Sequence, residues 1–166
     1  MRIYAGGGAN GGVSEVYGVS ALRNQQVDGT VANVRAGFQS DLFSVLVFWD
    51  RIDAESRPQF FPHGASDLTS TVRGDLVVVE PVFRPSFSLL GDHNLVLGAE
   101  FRHKYVDWTY LDAAHEEDFF ALFAQDQWAL DERWTVLASG RLDRHPLIGF
   151  LGSPRGAIIF KPTPGQ

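Results

Sequence analysis

The chain has 166 residues, a formal charge of -6 and no cysteine. The acidic balance excludes the basic face that nucleic acid requires, and the missing thiols exclude disulfides and thiolate metal sites. Thirteen Phe, four Trp and 17 Gly suit strands and turns better than helices; no apolar run approaches the ~18 residues of a membrane helix.

Residues 2–6 read as a short strand entering a Gly-rich run, Gly6 to Gly12. Gly6, Gly8 and Gly11 form a literal G-x-G-x-x-G after a strand, with Asp28 near the place of a ribose partner. The context fails for a nucleotide site, because Val13 to Ser20 is a poor helix and no parallel strand follows. A mobile Gly-rich loop over residues 6–12 is expected instead. From Thr30 to Gln39 the pattern alternates, with Ala32, Val34, Ala36 and Phe38 opposite Asn33, Arg35, Gly37 and Gln39. A turn at Ser40-Asp41 leads into a strand over Leu42 to Asp53. Its alternation blurs, since Leu46 and Phe48 share a face with Ser44 and Asp50. A polar loop is expected over residues 54–68.

Val72 to Leu90 reads as one very long strand, with Val77, Val79, Phe83, Phe87 and Leu89 opposite Glu80, Arg84, Ser86 and Ser88. Pro81 and Pro85 lack amide donors and predict a bulge or a break in pairing. After a turn at Gly91-Asp92-His93, Leu95 to Trp108 sets Leu95, Leu97, Ala99, Phe101 and Tyr105 against Glu100, Arg102 and Lys104. A loop around Asp112 to Glu117 precedes three more strands, divided by Asp131-Glu132-Arg133 and by a loop over residues 145–153. In the middle one, Trp134, Val136, Ala138 and Leu142 oppose Thr135, Ser139, Arg141 and Asp143.

The last third carries Phe123-Ala124-Gln125-Asp126, the turn Asp131-Glu132-Arg133, Thr135 to Asp143, Ser153-Pro154-Arg155 and Lys161-Pro162-Thr163-Pro164-Gly165. In this order and spacing they resemble the barrel repeat of TonB-dependent outer-membrane receptors. Asp92 to Leu95 with Gly98, Glu100 and Arg102 extend the resemblance over most of the chain beyond residue 85. Two features agree with a membrane barrel. Short connections (40–41, 91–93, 131–133) alternate with longer ones (54–68, 112–117, 145–153), as periplasmic turns and extracellular loops do. A β-sandwich has no reason to sort its loops this way. The strands also run ten or more residues, the length that crosses a bilayer at a tilt. Trp49 and Trp108 fall near the loop ends and Trp128 and Trp134 beside a turn, as interfacial girdles are distributed.

Little else suggests chemistry. Asp50 with Asp53, and His115 with Glu116 and Glu117, are the acidic or His clusters that tempt an enzymatic reading; both sit in or beside expected loops. The five His lack metal-ligand spacing, and no G-x-S-x-G elbow or phosphate loop occurs. No catalytic, cofactor-binding or metal-ligating residue is assigned. The row Glu80, Arg84, Glu100, Arg102, Lys104, Arg141, Asp143 and Arg155 falls on the polar side and is expected to line a barrel lumen, its members pairing with one another or with a plug.

The expected fold is therefore all-β: an antiparallel up-and-down transmembrane segment of about eight strands, residues 1–166, forming part of a 22-stranded receptor barrel. The start lacks a leader's apolar segment and cleavage site, so either a fragment of a longer exported chain or a coding region with a misplaced start is expected, the fragment being favoured. The resemblance implies a Gram-negative outer-membrane location and contact with lipid. It further implies uptake of a scarce solute (a ferric siderophore, cobalamin or a glycan), with a plug domain and TonB supplying energy. The plug, the energy-coupling box and more than half of that family's strands have no counterpart in these residues. Two alternatives stand: a small closed eight-stranded barrel with a structural or adhesive role, and a soluble β-sandwich binding module.

Overall fold

The computed structural model describes residues 1–17, 24–58 and 69–162. Within them lie β1 (Arg2–Tyr17), β2 (Asn24–Gln39), β3 (Phe43–Pro58), β4 (Ser70–Phe83), β5 (Ser86–Ser88), β6 (Asp92–Trp108), β7 (His115–Ala129), β8 (Trp134–His145) and β9 (Gly149–Phe160). All belong to one sheet in chain order, with the short β5 pairing only to β6. Every pairing is antiparallel. This up-and-down order agrees with the sequence reading. The sheet is open, since β1 and β9 end the order and do not pair with each other. That sets aside the small closed barrel. The sandwich also falls, because among the described residues no second sheet covers either face.

Several boundaries differ from expectation. The Gly-rich run is no loop: Gly6 to Gly12 continue β1, opposite Arg35 to Gly29 of β2. Glycine costs a strand entropy and packing, but a full ladder with β2 supplies the hydrogen bonds that hold it extended. Strand β3 runs on to Pro58, so residues 54–58 are strand where a polar loop was expected; residues 59–68 lie outside the described residues. Strand β7 starts at His115, inside the expected loop, and β8 and β9 are joined by residues 146–148 alone. The alternation of short and long connections therefore fails at this last link.

The prolines act as their chemistry predicts. The long strand splits into β4 and β5, with Arg84 and Pro85 between them. The ladder to β6 also lapses between Val79 and Val82, across Glu80 and Pro81. Pro81 has no N–H to give. Arg84 N instead donates to Leu42 O at 2.7 Å, and Leu95 N donates to Pro85 O at 3.0 Å, so the break is tied to both neighbours.

The short turns are set by side chains. Ser40 Oγ accepts from Phe43 N at 3.0 Å, and Asp131 Oδ1 accepts from the amides of Arg133 and Trp134, both at 2.8 Å. Between β5 and β6 the chain reverses through Leu90 and Gly91, with φ of 53° and 125°. A Cβ on Gly91 would stand 2.4 Å from Ala129 O, so the turn needs glycine there.

Packing is confined to neighbours in the ladder, and the hydrophobic core is nearly absent. Among the described residues only Val78, Val82 and Ala121 are buried apolar side chains, each 5% exposed. Leu122 is 62% exposed and Ile158 71%. Two small gaps are filled by aromatic rings lying over glycine: Tyr4 over Gly37 and Phe123 over Gly98, each occupying the space a Cβ would take. Such cover protects backbone that a bare glycine would expose.

Candidate functional site

Directly paired residues share a face, so the register sorts every side chain. One face carries Val34, Val47, Val79, Phe101, Phe120, Leu122, Leu142 and Phe150. Most of these are exposed, and among the described residues no second layer covers them; Arg144 shares the face and lies over the Phe120 ring at 6.0 Å. The other face carries Arg35, Glu80, Glu100, Arg102, Lys104, Arg141, Asp143 and Arg155. All eight residues of the expected row lie on this second face. Arg84, between β4 and β5, turns the same way and donates from Nη1 to Ser44 Oγ at 2.7 Å.

The centre of the charged face is Glu100 on β6, whose side chain is only 12% exposed. It accepts from Arg102 Nη2 at 2.5 Å and from Arg141 Nη2 at 3.2 Å. Arg141 stands on β8, two strands away, and its Nε also donates to Asp143 at 2.9 Å. Ala121 of β7 is opposite both Glu100 and Asp143 in the ladders. Its methyl group leaves room for these long side chains to meet above it, and they bury it in turn. By contrast, Glu80 and Arg155 make no ion pair or side-chain hydrogen bond among the described residues. Both border a polar concavity with Gln125, Ser139 and Ser153.

The sequence reading missed the aromatic component of this face. Phe48, Phe119 and Phe123 stand among the charges, each under a cation: Arg35 over Phe48 at 5.7 Å, Lys104 over Phe119 at 4.7 Å and Arg141 over Phe123 at 5.9 Å. The blurred alternation of β3 was the visible signal, since Phe48 already fell with Ser44 and Asp50. The acidic clusters do not converge. Asp50 and Asp53 fall on opposite faces of β3, and Glu116 is on the opposite face from His115 and Glu117. No group of three or more His, Asp or Glu among the described residues could hold a metal.

The apolar face is bounded by charge and aromatics at both ends. Toward the long connections, Trp49 Nε1 donates to Asp75 at 3.0 Å. Beyond it Arg73 and Arg51 reach Asp53 at 3.2 and 3.7 Å. Further out, two hydrogen bonds of 2.7 Å from Arg57 hold the Glu55 carboxyl below its ordinary pKa. Toward the short turns, Phe87, His93 and Trp128 stack in parallel, with centroids 4.9 and 5.3 Å apart. Trp134 rests on Phe160 at 4.5 Å. Trp49, Trp128 and Trp134 thus lie on the apolar face, whereas Trp108 lies on the charged one and packs against Tyr110.

Two carboxylates of β7 interrupt the apolar face, Asp118 beside His103 Nδ1 at 2.8 Å and Asp126 nearer the short turns. Asp126 accepts at Oδ2 from His93 Nδ1, 2.7 Å away, while its Oδ1 is buried without a partner. His93 Nε2 lies 3.1 Å from Leu89 O, beside the turn. His93→Leu is expected to destabilise the fold by about 1–2 kcal/mol, because it strands a buried acceptor. His93→Leu with Asp126→Leu should recover most of the loss, since removing both partners leaves nothing unsatisfied. A double-mutant cycle on urea midpoints would measure this; equal losses in the single and double variants would contradict it.

One layer of long antiparallel strands, apolar and bare on one face and charged on the other, is the wall of a membrane β-barrel. The chain matches the family described as TonB dependent receptor-like, beta-barrel, over residues 4–166. It belongs to that family, whose members are outer-membrane transport receptors. Among curated protein sequences, none is similar enough to this chain to be compared with it.

Proposed function

We propose that residues 1–166 form a stretch of wall in a larger outer-membrane receptor barrel, of about 22 strands by analogy with plugged transporters. The observation that carries this reading is the bare apolar face, which water would not tolerate at such extent and which lipid accepts. The outer edges of β1 and β9 support it further. Their unpaired N–H and C=O groups are costly in hydrocarbon, so further strands complete the ladder on each side.

In this reading Glu80, Arg84, Glu100, Arg102, Lys104, Arg141, Asp143 and Arg155 line the lumen. The Glu100 cluster ties β6 to β8 and stiffens the wall. Glu80 and Arg155, lacking partners on the wall, are the groups available to a plug domain or a passing solute. The receptor takes up a scarce small molecule or metal chelate, such as a ferric siderophore, cobalamin or a glycan. TonB energises the step by acting on the plug, so the wall itself carries out no covalent chemistry.

The test is growth of a strain deleted for the receptor on limiting iron, on limiting cobalamin and on a glycan as carbon source. A defect under one condition, reproduced by loss of TonB, is expected. No defect under any of them would contradict the transport reading.

A further inference from the structure

Toward the long connections the two faces of the sheet exchange character. The face that is apolar lower down carries Arg51, Asp53, Arg73 and Asp75 there. The charged face becomes apolar at the same level, where Val31, Ile52, Leu76 and Val106 surround a cavity of about 590 Å³. Gly74 in its floor keeps it open, since a Cβ there would press on Ile52 Cγ2 at 3.1 Å. Strand length accounts for the exchange. The 16 residues of β3 span about 53 Å at ~3.3 Å each, or roughly 37 Å along the membrane normal at a ~45° tilt. An apolar band is about 25 Å tall. The strand ends therefore protrude into water, where the outer face must be polar. An apolar inner face at that level is not needed for lipid contact and calls for another occupant.

The charges around the cavity narrow that occupant's chemistry. Asp50, Leu76, Lys104 and Glu117 occupy one row across β3, β4, β6 and β7, and all four border the cavity. Asp50 makes no hydrogen bond or ion pair among the described residues. Lys104 is directed over the Phe119 ring rather than to either carboxylate. His115 is the remaining titratable group of the charged face at the cavity. An unpaired carboxylate on an apolar floor complements a cation with a hydrophobic body.

We propose that this cavity is a solute subsite in the loop-side half of the bore. It takes an apolar ring or chain bearing a protonated amine, with the amine at Asp50. The proposal rests on the reading that the charged face lines the bore, and it names the part of the solute that this wall holds. A plain glycan, with no apolar body and no cation, does not fit here.

The chain contains no cysteine, so one introduced at Leu76 reports on the cavity floor. In outer-membrane vesicles carrying the assembled receptor, Leu76→Cys is labelled with a membrane-impermeant maleimide, with and without 1-naphthylmethylammonium. Labelling is expected to slow about fivefold when the probe stands at about four times its Kd. Naphthalene-1-sulfonate should slow it far less, and Asp50→Asn should abolish the cation's effect. Equal protection by both probes, no protection, or protection that survives Asp50→Asn would overturn the proposal. Leu122→Cys, on the opposite face in mid-band, separates the two readings. If that position is labelled as readily as Leu76→Cys, the bore assignment itself fails and the subsite falls with it.

Discussion

Leu122→Arg is expected to destabilise the assembled barrel by about 2–4 kcal/mol, the cost of arginine on a lipid-facing strand at mid-depth. Leu122 stands midway between Asp118 and Asp126 on its face of β7 and is 62% exposed. In a water-soluble sheet, arginine at so exposed a position would cost almost nothing, within about 0.5 kcal/mol. The comparison residue is Gln125, on the other face of the same strand. Gln125→Arg is expected to change stability by less than about 1 kcal/mol, because lumen positions keep their water. Urea midpoints in lipid vesicles would decide. Similar small effects at both positions would mean that the apolar face does not meet lipid.

The second large effect is expected at Glu100. Glu100→Ala removes the acceptor shared by Arg102 and Arg141 and leaves two guanidinium groups facing each other above Ala121. Breaking a buried pair costs about 3–5 kcal/mol, but both arginine side chains are 38% exposed and solvent offsets part of it. About 2 kcal/mol is therefore expected, the range of a hydrogen bond to a charged group. Glu100→Gln should lose less, since an amide oxygen still accepts from one arginine. Thermal midpoints of the two variants would test the order. A Gln variant as unstable as the Ala variant would show that charge, not hydrogen bonding, governs the site.

The faces were legible in the sequence because strand periodicity is independent of strand pairing. Ala32, Val34, Ala36 and Phe38 fall together whatever lies beside β2. Glu100, Arg102 and Lys104 are likewise fixed relative to Leu97 and Phe101. The prolines were legible too, because a missing amide breaks a ladder in any context. Strand ends were not. Gly6 to Gly12 have every local reason to form a loop, and only pairing with β2, an event between distant residues, holds them extended. The same applies to residues 54–58 and to the ends of β7, β8 and β9.

Within the site, membership of the charged row could be read, but its internal pairing could not. That Glu100 reaches Arg141 depends on the register of two ladders and on the small side chain of Ala121 between them. The Asp126–His93 contact was hidden for the same reason. The two lie 33 residues apart, and only the β6–β7 register brings them side by side. The exchange of faces near the long connections was concealed by length. Strands that overshoot the bilayer obey two opposite patterns, one in lipid and one in water.

In the proposed barrel a single strand meets lipid on one side and water on the other. Spin labels placed one at a time from residue 119 to residue 125 of β7, in the assembled barrel, test it most directly. Positions 120, 122 and 124 are predicted to collide with dissolved oxygen and to exclude a polar nickel complex. Positions 119, 121, 123 and 125 are predicted to respond in the opposite sense. A flat profile, or one in which the even positions see the nickel complex, would contradict the account.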